Sequence, residues 1–515
     1  MLRKLPLSGV QTFADIVNDF AVYVDKTAYI HKLISNYKTV FFARPRRFGK
    51  SLTCSTLKAV FENKRDLFKG LAIEALPWEW KEYPVIHLDM SAENFAAGKD
   101  RLVSLINGCL DFHAKKYGVS LPNNFIAQRF KELLKSLRAS KGKAAIIIDE
   151  YDCPLLDTIN CPEIHNDIKK ELRGFYKVLK ESDEYIQFAF ITGVTKFSQV
   201  SLFSGMNLPK DISLAPEFSA LCGITQEELE NCFELEIGEY SKKFGGRENY
   251  LAKLKKFYNG YRFSDSETSV YNPVSVLNHF EDGLFKFYWA ETGTPSFLAK
   301  FIDKKIVDIA DIENMYLPVE AFGKYKDDEI ILIPLMYQGG YLTIKDYDSE
   351  SGTYKLGYPN VEVHSSFSEF LCEQSGLDIL KVTLIANKMF RALQAGDANA
   401  FMEAIKIYIQ NVKPDLITKM TEYYFEFVFA NILGMMGYNC EIEVHSAVGS
   451  VDAVIKLQKN IFAIGAKQDK PVEEALRQIE KKKYYAPYWE KGNRVFKIGV
   501  LFGEKEKNVK EWKVL

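Results

Sequence analysis

The stretch Thr39-Val-Phe-Phe-Ala-Arg-Pro-Arg-Arg-Phe-Gly-Lys-Ser51 decides the fold, because it reads as a strand, a loop and the start of a helix. Gly-Lys-Ser at a helix N-terminus suits a triphosphate, since unpaired backbone N–H groups and the positive end of the helix dipole attract the anion. Lys50 can reach the β and γ phosphates, and Ser51 can ligate Mg²⁺. The stretch therefore predicts a phosphate-binding loop between a strand and a helix.

The loop departs from the full phosphate-loop pattern at one position. The pattern asks for a glycine five residues before Gly49, where this chain has Arg44. Arg44, Arg46 and Arg47 favour phosphate binding all the same, because guanidinium groups match phosphate oxygens. The alternative is a basic loop that starts an ordinary helix.

A second segment, roughly 100 residues later, supplies the acids that this chemistry needs. The apolar run Ala144–Ile148 is typical of a strand buried on both faces, and it leads directly into Asp149 and Glu150. Acids at that end of a strand lie where open α/β sheets bind ligands. We expect Asp149 to belong to the Mg²⁺ shell and Glu150 to polarise the attacking water.

These patterns together predict an ATP site with Mg²⁺. The predicted catalytic residues are Glu150, Lys50 and Asp149. The predicted nucleotide contacts are Arg44, Arg46, Arg47, Phe48, Gly49, Lys50, Ser51, Leu52, Thr192 and Lys196, the last two as candidates for the γ phosphate at the end of a further strand. The predicted metal ligands of this site are Ser51 and Asp149.

Strands and helices alternate through the first part of the chain, which predicts an α/β fold with a parallel sheet. The predicted strands are Thr39–Ala43, Val85–Asp89, Ala144–Ile148 and Gln187–Thr192, and the predicted helices include Arg101–Tyr117 and Ile164–Glu181. Changes of pattern predict five regions: a P-loop ATPase core (1–220), a helical lid (221–300), a winged-helix-like region (301–375), a helical linker (376–415) and a last domain (416–515).

The later regions show local signals of their own. Thr225 with Glu228 forms a capping-box pattern at a helix start. Tyr341–Tyr347 and Thr353–Gly357 flank a turn-rich segment and predict a hairpin. Residues 416–515 predict the order αβββαβ, beginning with a helix Thr421–Met436.

Bulk composition excludes some classes of protein. A net charge of −1 gives no global attraction to nucleic acid or to anionic membranes. The longest apolar run, Ile330–Met336, is interrupted by Pro334 and is too short to span a bilayer. The eight cysteines form no CxxC pair and the N-terminus carries no secretory pattern, so we expect reduced thiols in a cytoplasmic protein.

Several motifs resemble one bacterial family, the AAA-ATPase-like proteins fused to a PD-(D/E)XK nuclease-superfamily domain. They are Tyr23-Val-Asp-Lys-Thr27, Arg44-Pro-Arg-Arg-Phe-Gly-Lys-Ser51, Ile148-Asp-Glu-Tyr-Asp152, Ile191-Thr-Gly-Val-Thr-Lys-Phe-Ser198, Tyr258-Asn-Gly-Tyr261, Tyr271-Asn-Pro273, Tyr337-Gln-Gly-Gly-Tyr-Leu342, Asp452, Lys467 and Gln478-Ile479. The resemblance implies a P-loop NTPase with a lid, and a phosphate loop that tolerates Arg44. It also implies a restriction-endonuclease-like C-terminal domain with Asp452, Lys467 and Gln478 in its site.

The implied nuclease chemistry needs two acids and a lysine around Mg²⁺. Asp452 and Lys467 match two of these positions, but Gly465 stands where the second acid is expected. Three interpretations remain open: a catalytically impaired domain that still binds nucleic acid or a partner, Asp452 acting alone, or an acid supplied from elsewhere. The candidates for the relocated acid are Glu422, Glu426, Glu443 and Glu474.

Three functions are consistent with the sequence. The first is an ATPase that controls the nuclease-like domain; the second is an ATP-gated nucleic-acid-binding or scaffold protein without turnover; the third is an active Mg²⁺-dependent nuclease. DNA or RNA is the expected partner of the C-terminal domain, where Lys481-Lys482-Lys483 precedes a group of aromatic residues. We expect no membrane contact, and an oligomer is compatible with the pattern.

Overall fold

The chain forms two compact units, Met1–Tyr288 with Met315–Pro359 and Trp289–Asn314 with Asn360–Leu515. The computed structural model describes residues 4–6, 9–196, 209–289, 315–322, 332–374, 378–410, 441–447, 450–468, 470–503 and 508–515.

The first unit is built on a parallel five-stranded sheet in the order β2-β3-β4-β1-β5. Its strands are β1 (Thr39–Ala43), β2 (Val85–Asp89), β3 (Ala144–Asp149), β4 (Ile186–Gly193) and β5 (Lys210–Asp211). Every residue of β3 is buried, as expected for an apolar strand covered on both faces. The predicted parallel α/β sheet is confirmed.

Seven helices accompany these strands in the described part of the first 196 residues. They are α1 (Phe13–Asn18), α2 (Thr27–Asn36), α3 (Lys50–Phe61), α4 (Lys99–Tyr117), α5 (Ile126–Ser140), α6 (Cys153–Thr158) and α7 (Pro162–Glu181). The predicted helices Arg101–Tyr117 and Ile164–Glu181 each begin two residues earlier than expected. For α7 the reason is Pro162, since the first helical turn needs no N–H there.

Four further helices and a short hairpin follow the sheet. They are α8 (Gln226–Cys232), α9 (Glu234–Ser241), α10 (Arg247–Tyr258), β6 (Tyr261–Arg262), β7 (Ser269–Val270) and α11 (Pro273–Asp282). The predicted capping box is present: the Thr225 hydroxyl accepts from the Glu228 N–H, and the Glu228 carboxylate accepts from the Thr225 N–H. These helices share an aromatic core of their own that includes Phe233, Tyr250 and Phe280.

A small antiparallel sheet completes the first unit, in the order β8-β10-β9. Its strands are β8 (Tyr316–Pro318), β9 (Thr343–Asp348) and β10 (Thr353–Gly357). The helix α12 (Leu332–Gly339) lies between β8 and β9 in the chain. The predicted hairpin is therefore present, with its first strand beginning at Thr343 rather than Tyr341. The additional strand β8 pairs with β10.

The second unit is a five-stranded sheet in the order β11-β12-β13-β14-β15, in which only β13 and β14 run parallel. Its strands are β11 (Glu441–Ala447), β12 (Ser450–Leu457), β13 (Asn460–Gln468), β14 (Arg494–Gly503) and β15 (Asn508–Val514). Its described helices are α13 (Val361–Gln374), α14 (Ile379–Ala395), α15 (Ala398–Gln410) and α16 (Val472–Lys482). The predicted helix Thr421–Met436 lies outside the described residues.

Two features of the second unit differ from expectation. The described part of the predicted helical linker (376–415), residues 378–410, packs on the sheet: the Asn460 side chain donates to the Leu393 carbonyl, and the Trp512 indole donates to Asn399. The edge strand β15 was not predicted, because exposed Lys510 and Glu511 interrupt its apolar pattern, as is common on sheet edges. Among the helices of the described ranges, none combines the length and the apolar character needed to cross a membrane.

Candidate active site

The phosphate loop lies between β1 and α3, as the sequence predicts. Gly49 precedes α3 with a φ of 97°, in the left-handed region that glycine adopts without strain. Arg47 also has a positive φ, 70°, which is uncommon for a residue with a side chain. The helix begins at Lys50, so its unpaired N–H groups face the loop.

The acidic end of β3 converges on the start of α3. The Lys50 ammonium is 3.3 Å from a Glu150 carboxylate oxygen and donates to the Pro45 carbonyl at 3.2 Å. The Asp149 carboxylate is hydrogen-bonded to the side chain of Ser51. The lysine, the serine and both acids therefore meet at the carboxyl end of the parallel strands, where such sheets bind ligands.

Burial gives Asp149 unusual electrostatics. The residue is only 2% exposed, and desolvation raises the pKa of its carboxyl to about 6 although the Ser51 hydrogen bond opposes the shift. Glu150 lies at a φ of 51°, and its N–H donates to Asp149 Oδ1 at 3.0 Å. A buried carboxylate beside a serine hydroxyl is a pair of hard oxygen donors, which fits Mg²⁺.

Arg44 requires a correction, because the structure uses it for packing rather than for phosphate binding. Its side chain is 2% exposed and donates to the main-chain carbonyls of Ala43, Ser213 and Phe218. Burial lowers the pKa of its guanidinium to about 10, so it stays charged at neutral pH. A guanidinium whose Nη1 and Nη2 both donate to buried carbonyls does not reach a nucleotide at the loop surface.

The other predicted loop residues fall into three groups by exposure. Arg46 and Arg47 are exposed, and Gly49, Ser51 and Leu52 are half-buried. The ring of Phe48 is buried against other aromatic rings, which leaves only its backbone as part of the loop surface.

Thr192 and Lys196, the candidates for a γ-phosphate contact, are both engaged elsewhere. The Thr192 hydroxyl is buried and donates to the Phe42 carbonyl at 2.7 Å, so it braces β4 against β1. The Lys196 ammonium is 2.7 Å from Asp211 Oδ2, and the backbone N–H of Lys196 donates to Gln338 Oε1. Thr192 is therefore a structural residue here, and Lys196 would have to leave Asp211 to reach a phosphate.

Two acids near the site were given no role by the sequence analysis. Asp89 ends β2 in register with Asp149, and its charge contributes to the raised pKa of Asp149. Asp152 is fully buried and accepts from the N–H groups of Val194 and Thr195 and from the Thr195 hydroxyl. The position of Asp89 at the end of a predicted strand was the available signal, whereas the contacts of Asp152 depend on the tertiary fold.

The motif Tyr23-Val-Asp-Lys-Thr27 forms a packed turn. Asp25 accepts from the N–H and the hydroxyl of Thr27 and, through its other oxygen, from the Ala72 N–H. The Lys26 ammonium is 2.6 Å from Glu228 at the start of α8. The motif therefore fastens the N-terminal segment to the helices that follow the sheet.

The nuclease-like positions occupy neighbouring strands of the second unit. Asp452 on β12 is directly opposite Gly465 on β13, and Ser450 is opposite Lys467. Lys467 and Gln478 are both partly buried. The side chains of Asp452 and Glu443 lie outside the described part of the structure, as do Glu422 and Glu426 entirely. A further candidate acid, Glu474, is exposed on α16 and pairs with Lys470 at 3.3 Å.

Two glycines on neighbouring strands allow α16 to pack closely on this sheet. Gly465 is in register with Gly499 on β14. A Cβ atom at Gly499 would lie 2.6 Å from the Val472 carbonyl oxygen, and one at Gly465 would lie 3.2 Å from that of Ala475. The glycine at the expected acid position therefore has a packing role, because it lets the helix lie close to the strand.

This packing predicts a difference between two alanine variants. Gly499→Ala should destabilise the second unit by about 1–3 kcal/mol, because the new Cβ overlaps backbone that cannot move freely. Gly465→Ala should be nearly neutral, since a milder contact is offset by about 0.4–1 kcal/mol of lost unfolded-state entropy. Hydrogen–deuterium exchange of peptides from β13 and β14 measures both effects. Equal protection in the two variants would contradict this assignment.

Comparison with known proteins adds family information to this geometry. A family model described as a predicted AAA-ATPase matches residues 7–203, and one described as the PD-(D/E)XK nuclease superfamily matches residues 420–512. A relative from Azotobacter chroococcum mcd 1, "Uncharacterized protein in vnfD 5'region", is 30% identical over 518 residues, covering 98% of this chain and 98% of the relative.

Two solved structures from Aeropyrum pernix show a weaker likeness. The ORC1 protein in complex with DNA is 11% identical with a TM-score of 0.25, and the alignment covers 70% of this chain and 96% of that one. The ORC2 protein, solved as ADPNP-ADP complexes, is 13% identical with a TM-score of 0.25, with 65% and 87% covered. Both scores are too low to transfer a property to this chain.

Proposed function

The chain belongs to the family of predicted AAA-ATPases that carry a PD-(D/E)XK nuclease-superfamily domain, and on that premise we propose that it binds ATP with Mg²⁺ and hydrolyses it. The observation that carries the proposal is the 3.3 Å approach of Lys50 to Glu150 at the start of α3, beside the hydrogen-bonded pair Ser51 and Asp149. A lysine, a hydroxyl and two acids around a helix N-terminus suit phosphoryl transfer to water.

Each residue has a separate task in this proposal. Lys50 binds the β and γ phosphates and stabilises the charge that develops on them. Ser51 and Asp149 would hold Mg²⁺, which when bound would neutralise phosphate charge. Glu150 orients the attacking water and accepts its proton. Arg46 and Arg47 are exposed on the loop and are available to phosphate oxygens.

Replacing Lys50 by methionine tests nucleotide binding. Lys50→Met keeps much of the side-chain volume but removes the charge, so affinity for ATP should fall at least about tenfold. Binding of a fluorescent ATP analogue measures the change, and phosphate release with and without EDTA measures the need for the metal. The exposed Lys141→Met variant serves as the control. An unchanged affinity in Lys50→Met would contradict the proposal.

For the C-terminal domain we propose a role in binding nucleic acid or a partner without cleavage by the two-acid and lysine chemistry. Gly465 offers no ligand opposite Asp452, and Gly465 lies under α16. The side chains of Lys481, Lys483 and Trp489 are exposed, and basic and aromatic side chains of this kind bind a phosphate backbone and stack on bases.

Incubating the full-length protein with DNA or RNA and Mg²⁺ or Mn²⁺ tests this second proposal. We expect no cleavage by the natural chain. Cleavage that disappears in Asp452→Asn would instead establish an active nuclease with an acid supplied from elsewhere.

A further inference from the structure

Arg44 is a buried cation held between two aromatic rings. The guanidinium carbon lies 4.4 Å from the centroid of Phe42 and 4.2 Å from that of Phe263. Placing a charged group in the interior is costly unless its donors are satisfied and its charge is stabilised. Two ring faces at these distances supply cation–π attraction from both sides. The site is therefore shaped for a planar guanidinium.

The hydrogen bonds of Arg44 join the phosphate loop to a segment distant in sequence. Nη1 donates to the carbonyls of Ala43 at 2.9 Å and Ser213 at 2.7 Å, and Nη2 donates to that of Phe218 at 3.2 Å. The Ala43 N–H also donates to the Ser213 hydroxyl at 2.9 Å. The first residue of the loop is thereby fixed to the chain that follows β5.

The other end of the loop, at Phe48, also contacts residues that follow β5 in the chain. The Phe48 carbonyl accepts from the Gly223 N–H at 3.1 Å. The Phe48 ring packs edge-on against Tyr261 and Phe263, with centroids 4.7 and 5.5 Å away. Phe263 thus contacts both Arg44 and Phe48, so one ring supports the two ends of the loop.

Pro45, the residue after Arg44, contacts Lys50 and so connects the fixed start of the loop to this lysine. The Pro45 carbonyl accepts from the Lys50 ammonium at 3.2 Å, and the same ammonium is 3.3 Å from Glu150. We propose that Arg44 is a positioning residue of the nucleotide site: it fixes the start of the loop and, through the Pro45 carbonyl, holds Lys50 where the phosphates bind. This inference rests on the proposed ATP-binding function. It also gives Arg44 a task at the position where the phosphate-loop pattern has glycine.

Equilibrium binding of a non-hydrolysable ATP analogue and of AMP to the full chain tests this inference. Arg44→Lys keeps the buried charge but loses the planar fork, and Arg44→Met loses both. The affinity of each variant for the ATP analogue should fall about ten- to hundredfold. AMP affinity should stay unchanged, because AMP lacks the phosphates that Lys50 reaches. Phe263→Leu should weaken analogue binding in the same direction without altering the loop sequence.

Arg129→Met is the matched control. Arg129 is a largely buried arginine that links α5 to Asn107 and Asp111 on α4. Its loss should lower the melting temperature without changing nucleotide affinity. The inference is overturned if Arg44→Lys binds the analogue like the natural chain, if Arg129→Met loses as much affinity, or if AMP binding weakens equally. If the natural chain binds no ATP analogue, the proposed function itself fails.

Discussion

Glu150→Gln is expected to reduce ATP turnover by at least about 100-fold while ATP binding is retained, because glutamine keeps the shape of the side chain but cannot accept a proton. Glu150 is well placed for such a role: its N–H is held by Asp149, and its carboxylate lies 3.3 Å from Lys50. Steady-state phosphate release measures turnover, and a fluorescent ATP analogue measures binding.

The matched control for this prediction is Glu163→Gln, at an exposed position near the start of α7. It should leave both turnover and binding unchanged. Full turnover in Glu150→Gln would remove this residue from the mechanism. Tight ATP binding without turnover in the natural chain would instead favour the scaffold alternative, in which ATP only sets the shape of the protein.

Gly260→Ala is expected to destabilise the first unit by about 3 kcal/mol or more, because left-handed strain and overlap act together. Gly260 has a φ of +96°, and a Cβ atom there would lie 2.0 Å from the Pro359 carbonyl oxygen. The overlap involves backbone, so a change of rotamer cannot relieve it. Hydrogen–deuterium exchange of peptides from β1 to β4 reports the loss of stability.

Gly352→Ala separates the effect of left-handed backbone strain from the effect of steric overlap. Gly352 also has a positive φ, +66°, but a Cβ atom there would have no neighbour within 4 Å. Its substitution should therefore cost only the backbone strain, about 1 kcal/mol. Similar losses in both variants would show that the contact with Pro359 contributes little.

The sequence predicted the parallel sheet and the meeting of the Gly49-Lys50-Ser51 loop with the acids at the end of β3, because both depend on local patterns. An all-apolar run such as Ala144–Ile148 is typical of a strand covered on both faces, and β1 and β2 have the bounds that were predicted. Gly49, Lys50 and Asp149 were recognisable because helix starts and strand ends have chemistry that depends on residue type.

The use of individual polar side chains was harder to predict. Arg44 was expected to bind phosphate and Thr192 to approach it, yet each is bonded to main-chain carbonyls. Residue type does not distinguish these uses, because an arginine or threonine bonds whichever acceptor the fold brings near. Gly465 likewise suggested only a missing acid until the position of α16 supplied a packing reason.

The sequence by itself predicted the parallel α/β sheet and the bounds of β1 and β2, and it identified the residues proposed to hold a triphosphate. Only the tertiary structure decided that Arg44 is buried between Phe42 and Phe263 and that residues 378–410 pack on the C-terminal sheet. The physical reason is the distance along the sequence over which each signal acts. Hydrophobic periodicity and the chemistry of helix and strand ends involve residues only a few positions apart. The partners of a buried charge or of a helix face come from segments tens to hundreds of residues away, and chain folding alone brings them together.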